Sequence, residues 1–599
     1  MTRPKVDLRG APRGVGTALL VGLAAPAAAQ TDTSTAAAPG VAARQCRRVE
    51  SRTNLAALSG RRVESFDVVI GGPRLSRVPL LARLNSRAHV RTQQNTLRRF
   101  VLLAPRDTVD SVRVAESLRR LRRLRYLDDV LLVANDCGAG VPLRITLLAR
   151  DAVSFRPDLR FNSGSAANAA TGTATASPAS YSVGFQERNL LGTGREFSAS
   201  AIGTAGRNGY ALSGGDPTAF GSLYAARARL ARNPIENATA FSLRPPDREL
   251  SEIWRGELGV SDSRRGGAAA HGARFARRTG QGLVGHRLTP DDGRGFGVFL
   301  MVGAEAERTR LEAAPGAILG GPAAVRRDFT AADVGLARYA EQYDALTWLL
   351  PDARVVDVPR GLEGELVTGL GRDAAIGRRT AHVDLWAGRM WLPRADRLFV
   401  ADVWNTGYVR QGYSRAGAST RAALTGVARR AGGYVYARLA AERLASPDPD
   451  QQALLGFDPT VRMLTTRTRL AQTAVAGILE RDWRVSSRVG RVAADLAGFG
   501  AFSYRASARI PTPASADTGG APGSGGPASR APAPNVDQLS TALGVGVHLV
   551  PNALGRPAIR LDYVVPVSHG PGGHSKPYLA ASVAPWLVFD RFRDGRRGR

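Results

Sequence analysis

Lysine is almost absent from this chain of 599 residues: it occurs only at Lys5 and Lys576, so arginine supplies nearly all of the 82 basic side chains. Against 51 acidic residues, the formal net charge is +31. A nucleic-acid binder would gather such an excess on one face or stripe. Here the arginines are spread over the whole length, so no nucleic-acid partner is expected. Long apolar runs are also missing. Beyond residue 29 no stretch of about 18 apolar residues occurs, which excludes a transmembrane helix there. A membrane protein with this sequence must then be a closed β-barrel, since only helices and closed barrels satisfy every backbone group in lipid.

Catalytic groupings are missing too. Gly412-Tyr413-Ser414-Arg415-Ala416 has alanine where a nucleophile elbow needs its second glycine. The seven histidines are scattered, and the neighbours His569 and His574 lack further ligands to complete a metal site. No catalytic residue, cofactor or metal site is expected, and the chain does not read as an enzyme.

The N-terminus has the form of a secretory signal. Arg3, Lys5, Arg9 and Arg13 precede the apolar run Val15 to Ala25, and Ala27-Ala28-Ala29 offers a cleavage site before Gln30. No cysteine follows that run, which argues against a lipid anchor. Residues 1–29 are thus expected to be the signal, and 30–60 a linker. In an exported compartment the pair Cys46 and Cys137 suggests one disulfide, with two unpaired thiols as the alternative.

Residues 61–155 read as a small α+β domain. Val63, Phe66, Val68 and Ile70 predict a strand that ends at Gly71-Gly72-Pro73. Thr92 is expected to cap a helix from Gln93 to Leu102, and Asp110 or Ser111 a second one. In the second helix Val114, Leu118, Leu121 and Leu124 lie at helical spacing. Its arginine run, Arg119 to Arg125 broken by two leucines, predicts a solvated face. Leu127 to Ala134 and Val141 to Leu147 predict two more strands, giving β-α-α-β-β. Residues 156–180 are low in complexity and read as a flexible linker, and the stretch near 511–535 as a long loop.

From Tyr181 to Phe592 short alternating segments recur between turn signals, often with an aromatic near the end. Periodicity alone leaves a soluble β-rich domain and a membrane barrel both open. Shared among about 16 strands, this stretch allows about 26 residues per strand and connection. Residues 593–599 form a basic tail.

Tyr181-Ser182-Val183-Gly184-Phe185-Gln186-Glu187-Arg188-Asn189-Leu190-Leu191-Gly192-Thr193-Gly194 resembles the first barrel strand of the BamA/TamA-type POTRA–β-barrel outer-membrane assembly proteins, also called the bacterial surface antigen family. Asn189, Gly192 and Gly194 match that family's Asn–apolar–apolar–Gly–x–Gly turn. The β-α-α-β-β segment, with Tyr126-Leu127-Asp128-Asp129-Val130 after the second helix, is similar to its POTRA unit; from that segment alone a generic α+β domain remains the alternative. Gly544-Val545-Gly546-Val547 and Ile559-Arg560-Leu561-Asp562-Tyr563 resemble its C-terminal strands. Leu455 to Arg462 sits where the family carries an inward-folding loop, although Met463-Leu464 replaces the usual Gly-aromatic.

The resemblance implies a transmembrane antiparallel β-barrel of about 16 strands with one N-terminal periplasmic POTRA domain. Arg462 is then expected to pair with Asp495, or with another luminal acid, on the inner wall. The implied function is assistance with inserting β-barrel proteins into the outer membrane. Its partners would be unfolded outer-membrane clients, bound through the POTRA domain and a weak seam between the segments 181–197 and 578–589, and outer-membrane lipid. With one POTRA unit, recruitment of accessory lipoproteins stays open. A polypeptide-translocating barrel of two-partner-secretion type and a surface-antigen barrel without assembly activity are the alternatives.

Overall fold

A computed structural model describes residues 46–50, 58–72, 90–124, 126–138, 140–152, 154–162, 180–204, 207–222, 224–233, 236–245, 253–265, 274–290, 295–312, 324–348, 355–375, 377–410, 417–445, 473–485, 492–506, 538–551, 557–568 and 577–585. The expected signal 1–29, Ser414, Arg462, His569, His574 and the tail 593–599 lie outside these described residues.

The chain first builds a small α+β domain. Its elements are β1 (Arg47–Glu50), β2 (Val63–Gly71), α1 (Gln94–Arg98), α2 (Ser111–Arg122), β3 (Leu127–Asp136) and β4 (Leu143–Asp151). The sheet order is β1-β3-β4-β2, with β2 parallel to β4 and the other pairs antiparallel. Alternation along β4 buries Leu143, Ile145 and Leu147 completely. Helix α2 lays Val114, Leu118 and Leu121 on that face, positions that share one side of a helix.

Three expectations need correction here. The 30–60 linker contains strand β1. Helix α1 runs only Gln94–Arg98, with Gln93 at its N-cap; the Thr92 side chain is engaged by Asp151 instead of capping the helix. Asp110 does cap α2, accepting from the Val112 amide.

Cys46 and Cys137 are disulfide-bonded across a sequence separation of 91, next to the Arg47–Asp136 register pair of β1 and β3. Strand β1 is only four residues long, so the bridge adds a covalent tie to a short edge strand.

The rest is one closed barrel. Its strands are β5 (Phe155–Asn162), β6 (Ser180–Leu190), β7 (Arg195–Thr204), β8 (Arg207–Asp216), β9 (Ala225–Arg232) and β10 (Glu236–Arg244). They continue as β11 (Trp254–Arg265), β12 (Arg274–Arg287), β13 (Phe296–Glu312) and β14 (Ala324–Ala340). A hairpin outside the barrel wall follows, β15 (Tyr343–Leu346) and β16 (Val356–Pro359). The wall resumes with β17 (Gly361–Asp373), β18 (Arg378–Arg394), β19 (Arg397–Arg410), β20 (Gly417–Arg430) and β21 (Gly433–Ala445). It ends with β22 (Thr473–Val485), β23 (Val492–Ala506), β24 (Gln538–Pro551), β25 (Pro557–Ser568) and β26 (Tyr578–Pro585). Each strand pairs with the next in sequence around the wall, β14 with β17 across the hairpin, and β26 returns to β5.

The wall therefore has 20 strands, not about 16. Two features explain the difference. Tight turns such as Asp396 and Gly432 bring the spacing down to about 22 residues per strand and connection. The first strand, β5, starts at Phe155 and runs into the 156–180 segment expected to be a linker; β4 leads almost directly into it, and it pairs with β6 from Phe155↔Glu187 to Asn162↔Ser180. The barrel thus starts at Phe155, and the 181–197 segment forms the β6–β7 hairpin next to the closing strand β5 instead of the closing strand itself.

Alternation sorts the wall into two faces. Leu300, Val302, Val334, Leu336, Leu366, Leu370, Val545 and Leu561 are exposed on the outside, Leu370 to 74%. The intervening residues Glu307, Asp333, Glu363, His382, Arg438, Glu480 and Asp562 are buried on the inside. Outward aromatics collect at strand ends: Trp254, Phe296 and Trp483 at one rim, Tyr181 and Tyr504 at the other. A soluble protein does not expose an apolar belt along strand after strand around a polar interior. Hydrocarbon outside and water inside account for both faces and for the two aromatic rims. This rules out the soluble β-rich alternative.

The disulfide closes a loop that the chain-entropy relation values at about 4 to 5 kcal/mol. In Cys46→Ser, amides of Arg47–Glu50 should exchange far faster while those of β4 keep their protection, measured by hydrogen exchange on the intact protein. Unchanged exchange in β1 would show that the bridge does not hold that strand.

Candidate functional site

The α+β domain meets the barrel at two places on one rim. The first is the turn after β6, made of the residues that matched the family motif. Leu191 has φ 55°, and Gly192 and Gly194 have φ 74° and 75°, all in the left-handed region where glycine is strain-free. Space matters as much as φ. A β-carbon on Gly192 would lie 2.2 Å from the Arg91 carbonyl oxygen, and one on Gly194 would lie 2.7 Å from the Tyr126 hydroxyl oxygen. The turn can therefore press directly against the small domain.

Asn189 joins the two sides. Its Nδ2 donates to Thr92 Oγ1 at 2.8 Å, and its Oδ1 accepts from the Gly194 amide at 2.8 Å. Thr92 in turn donates through Oγ1 and its amide to the two carboxylate oxygens of Asp151, at 2.6 and 3.0 Å. The Gln93 amide donates to the Gly192 carbonyl at 2.8 Å. Asn189, Thr92 and Asp151 are all buried. A buried polar chain with its partners in place is worth more than isolated surface bonds, because each orphaned member would bear its full desolvation cost.

The second contact overturns a sequence expectation. Arg119 and Arg120 are buried, not solvated, and both bond Glu116 within α2. Arg119 lies 4.6 Å over the Tyr343 ring of the β15–β16 hairpin, and Arg122 donates to Asp357 in the same hairpin at 3.0 Å. The hairpin's Leu346 and Val358 pack against Met390, Leu398, Val400 and Val427, which face the barrel interior. Tyr434 on β21 donates to the Trp348 carbonyl at 2.8 Å. Helix α2, the hairpin and the inner wall thus form one continuous contact at the domain-side mouth.

The lumen itself is polar. A cavity of about 770 Å³ is lined by residues including Arg227, Arg277, Glu305, Glu307 and His382. Glu307 accepts from Arg277 at 2.7 Å and is reached by Arg327 at 3.3 Å.

Of the expected site residues, Asn189, Gly192 and Gly194 come together at the junction. Asp495 is buried on β23, while Arg462 falls in the 446–472 connection outside the described residues, so their pairing has no geometry here. Sequence reasoning did not anticipate Asp151, the Tyr343 and Asp357 contacts or the luminal His382. Only Tyr126, singled out for its place before β3, carried a signal.

No family model matches the chain, and no curated protein matches it. Among solved structures, it overlaps BamA from Haemophilus ducreyi lacking POTRA domains 1–3, at 11% identity and TM-score 0.35, over 88% of this chain and 85% of that one. CdiB from Acinetobacter baumannii overlaps at 10% identity and TM-score 0.35, over 77% and 74%. The siderophore receptor PirA from Pseudomonas aeruginosa overlaps at 12% identity and TM-score 0.30, over 73% and 83%. With TM-scores below 0.5, none of these overlaps assigns a function to the chain.

Tyr126 supplies a pH-dependent test of the junction. Burial, reinforced by Asp151, Glu196 and Asp216, pushes its hydroxyl well above the usual tyrosine value near 10. The folded state holds the neutral form, so its stability is intact below pH 10 and falls as pH rises beyond that, where the unfolded chain loses the proton first. The hydroxyl makes no hydrogen bond among the described residues, so Tyr126→Phe should fold at least as well at neutral pH. Urea midpoints at pH 8 and 11 should then fall less in Tyr126→Phe than in wild type. Equal falls would mean that Tyr126 is not buried at this interface.

Proposed function

We propose that the chain is an outer-membrane barrel that assists insertion of other β-barrel proteins, with its α+β domain acting as a single periplasmic POTRA unit. The observation that carries this reading is the closing seam. The wall closes between its first and last strands, β5 and β26. Each seam strand contains a proline, Pro157 or Pro585, which has no amide to donate to the ladder. A seam whose two strands each lack an amide donor can form fewer ladder bonds and opens more readily. Its freed edges could template an incoming strand, since unpaired backbone groups are what a new strand pairs with.

The α+β domain supports the same reading. Strand β2 lies at the sheet edge opposite β1 and offers a place for an extended client to add by backbone pairing. The two junction contacts hold this domain at one mouth of the barrel. No cofactor or energy source enters: the client's own burial in lipid drives insertion. Clients would be unfolded outer-membrane proteins.

The polar luminal cavity favours a second reading, passage of a polypeptide through the barrel. Depletion in the native host separates the two. Insertion predicts loss of many folded outer-membrane proteins, scored by heat-modifiable gel mobility of membrane fractions. Loss of one secreted protein, with outer-membrane proteins unchanged, would overturn insertion in favour of translocation; no change in either would leave a barrel without assembly activity.

A further inference from the structure

Three strands of the wall bring Glu305 (β13), Asp333 (β14) and His382 (β18) together, with one ligand-type atom from each within 4.8 Å of the others. Asp333 and His382 are not on neighbouring strands; β17 runs between them. They occupy one lateral row, Asp333↔Gly369↔His382. Residue 369 decides whether they can meet. A β-carbon there would lie 2.2 Å from His382 Cε1 and 2.3 Å from Asp333 Oδ1, so any side chain would fill the space where the two approach. The missing side chain lets His382 Nε2 come within 3.5 Å of Asp333 Oδ1 and 3.9 Å of Glu305 Oε2.

The histidine gives a second, independent sign. Its side chain is nine-tenths buried, Phe329 covers it edge-on at 5.6 Å, and neither ring nitrogen makes a hydrogen bond among the described residues. A buried imidazole whose nitrogens lack hydrogen bonds bears a desolvation cost that a ligand would offset. Ligand bonds of about 2.0 to 2.1 Å at a tetrahedral ion place neighbouring ligand atoms about 3.3 Å apart. The His382–Asp333 separation of 3.5 Å is already close to that value, and the His382–Glu305 separation of 3.9 Å needs about half an ångström of closure.

We propose that Glu305, Asp333 and His382 form a divalent-cation site on the luminal wall. One imidazole nitrogen with two carboxylates suits a Zn²⁺-class ion better than Mg²⁺ or Ca²⁺, which prefer all-oxygen shells. Glu305 and His382 also line the luminal cavity, so ion and water can reach the site and water can complete the shell. Bound metal would join β13, β14 and β18 across the wall.

The test uses the full chain, purified in detergent, stripped with chelator and shown to be folded by heat-modifiable mobility. Zn²⁺ titration calorimetry should give one equivalent, and Co²⁺ should give a visible absorption band that Zn²⁺ displaces. His382→Gln should abolish the band, and Gly369→Ala should weaken binding about tenfold or more while the barrel stays folded. If Gly369→Ala fails to fold, Asp333→Asn with the same readout takes its place. A folded wild type that takes up no Zn²⁺, or an unchanged band in His382→Gln, overturns the proposal.

Discussion

The hydrogen-bond chain Asn189–Thr92–Asp151 is the joint on which the arrangement of the rest depends. Asn189 is at the end of β6, in the β6–β7 hairpin, Thr92 stands just before helix α1, and Asp151 ends the strand that leads into the barrel. One buried network therefore ties the turn, the small domain and the connection between them. Gly192 and Gly194 are part of the same joint because the domain occupies the space where their side chains would be. The α2–hairpin contact adds a second fixed point, and two separate points restrain rotation in a way that one cannot.

Two solvents shape the wall. Facing lipid, it carries leucine and valine between aromatic rims; facing the lumen, it carries carboxylates and guanidiniums that satisfy one another. Arginine suits the inner face because it keeps its charge and bonds carboxylates through several donors. Glu307, held by Arg277 and Arg327, shows the pattern. Part of the +31 excess is thus distributed inside the barrel and at the domain interface, and does not form one basic face.

Much of the architecture was legible because it rests on local signals. The alternation of β4, the spacing of Val114, Leu118 and Leu121, and the Asn-x-x-Gly-x-Gly turn each require particular residue types at fixed offsets. What was not legible depended on distant partners. The arginine run of α2 has the pattern of a solvated face, and only the arrival of Tyr343 and Asp357, more than 200 positions away, buries it. Thr92 has the composition of a helix cap, but Asp151 competes for its hydroxyl and amide. β5 was hidden because Phe155–Asn162 borders a low-complexity stretch. His382 looked like one scattered histidine until β17 placed a glycine between it and Asp333.

The central claim is that the barrel's first turn and the small domain are one mechanical unit. Amide hydrogen exchange on the full chain in lipid nanodiscs, comparing wild type with Asn189→Ala, tests it most directly. The account predicts that the amides of Gly194 and Thr92, bonded to Asn189 and Asp151, are protected in wild type and that both exchange about tenfold faster or more in the variant. If Gly194 alone accelerates while Thr92 stays protected, the turn and the domain are not coupled, and the claim is contradicted.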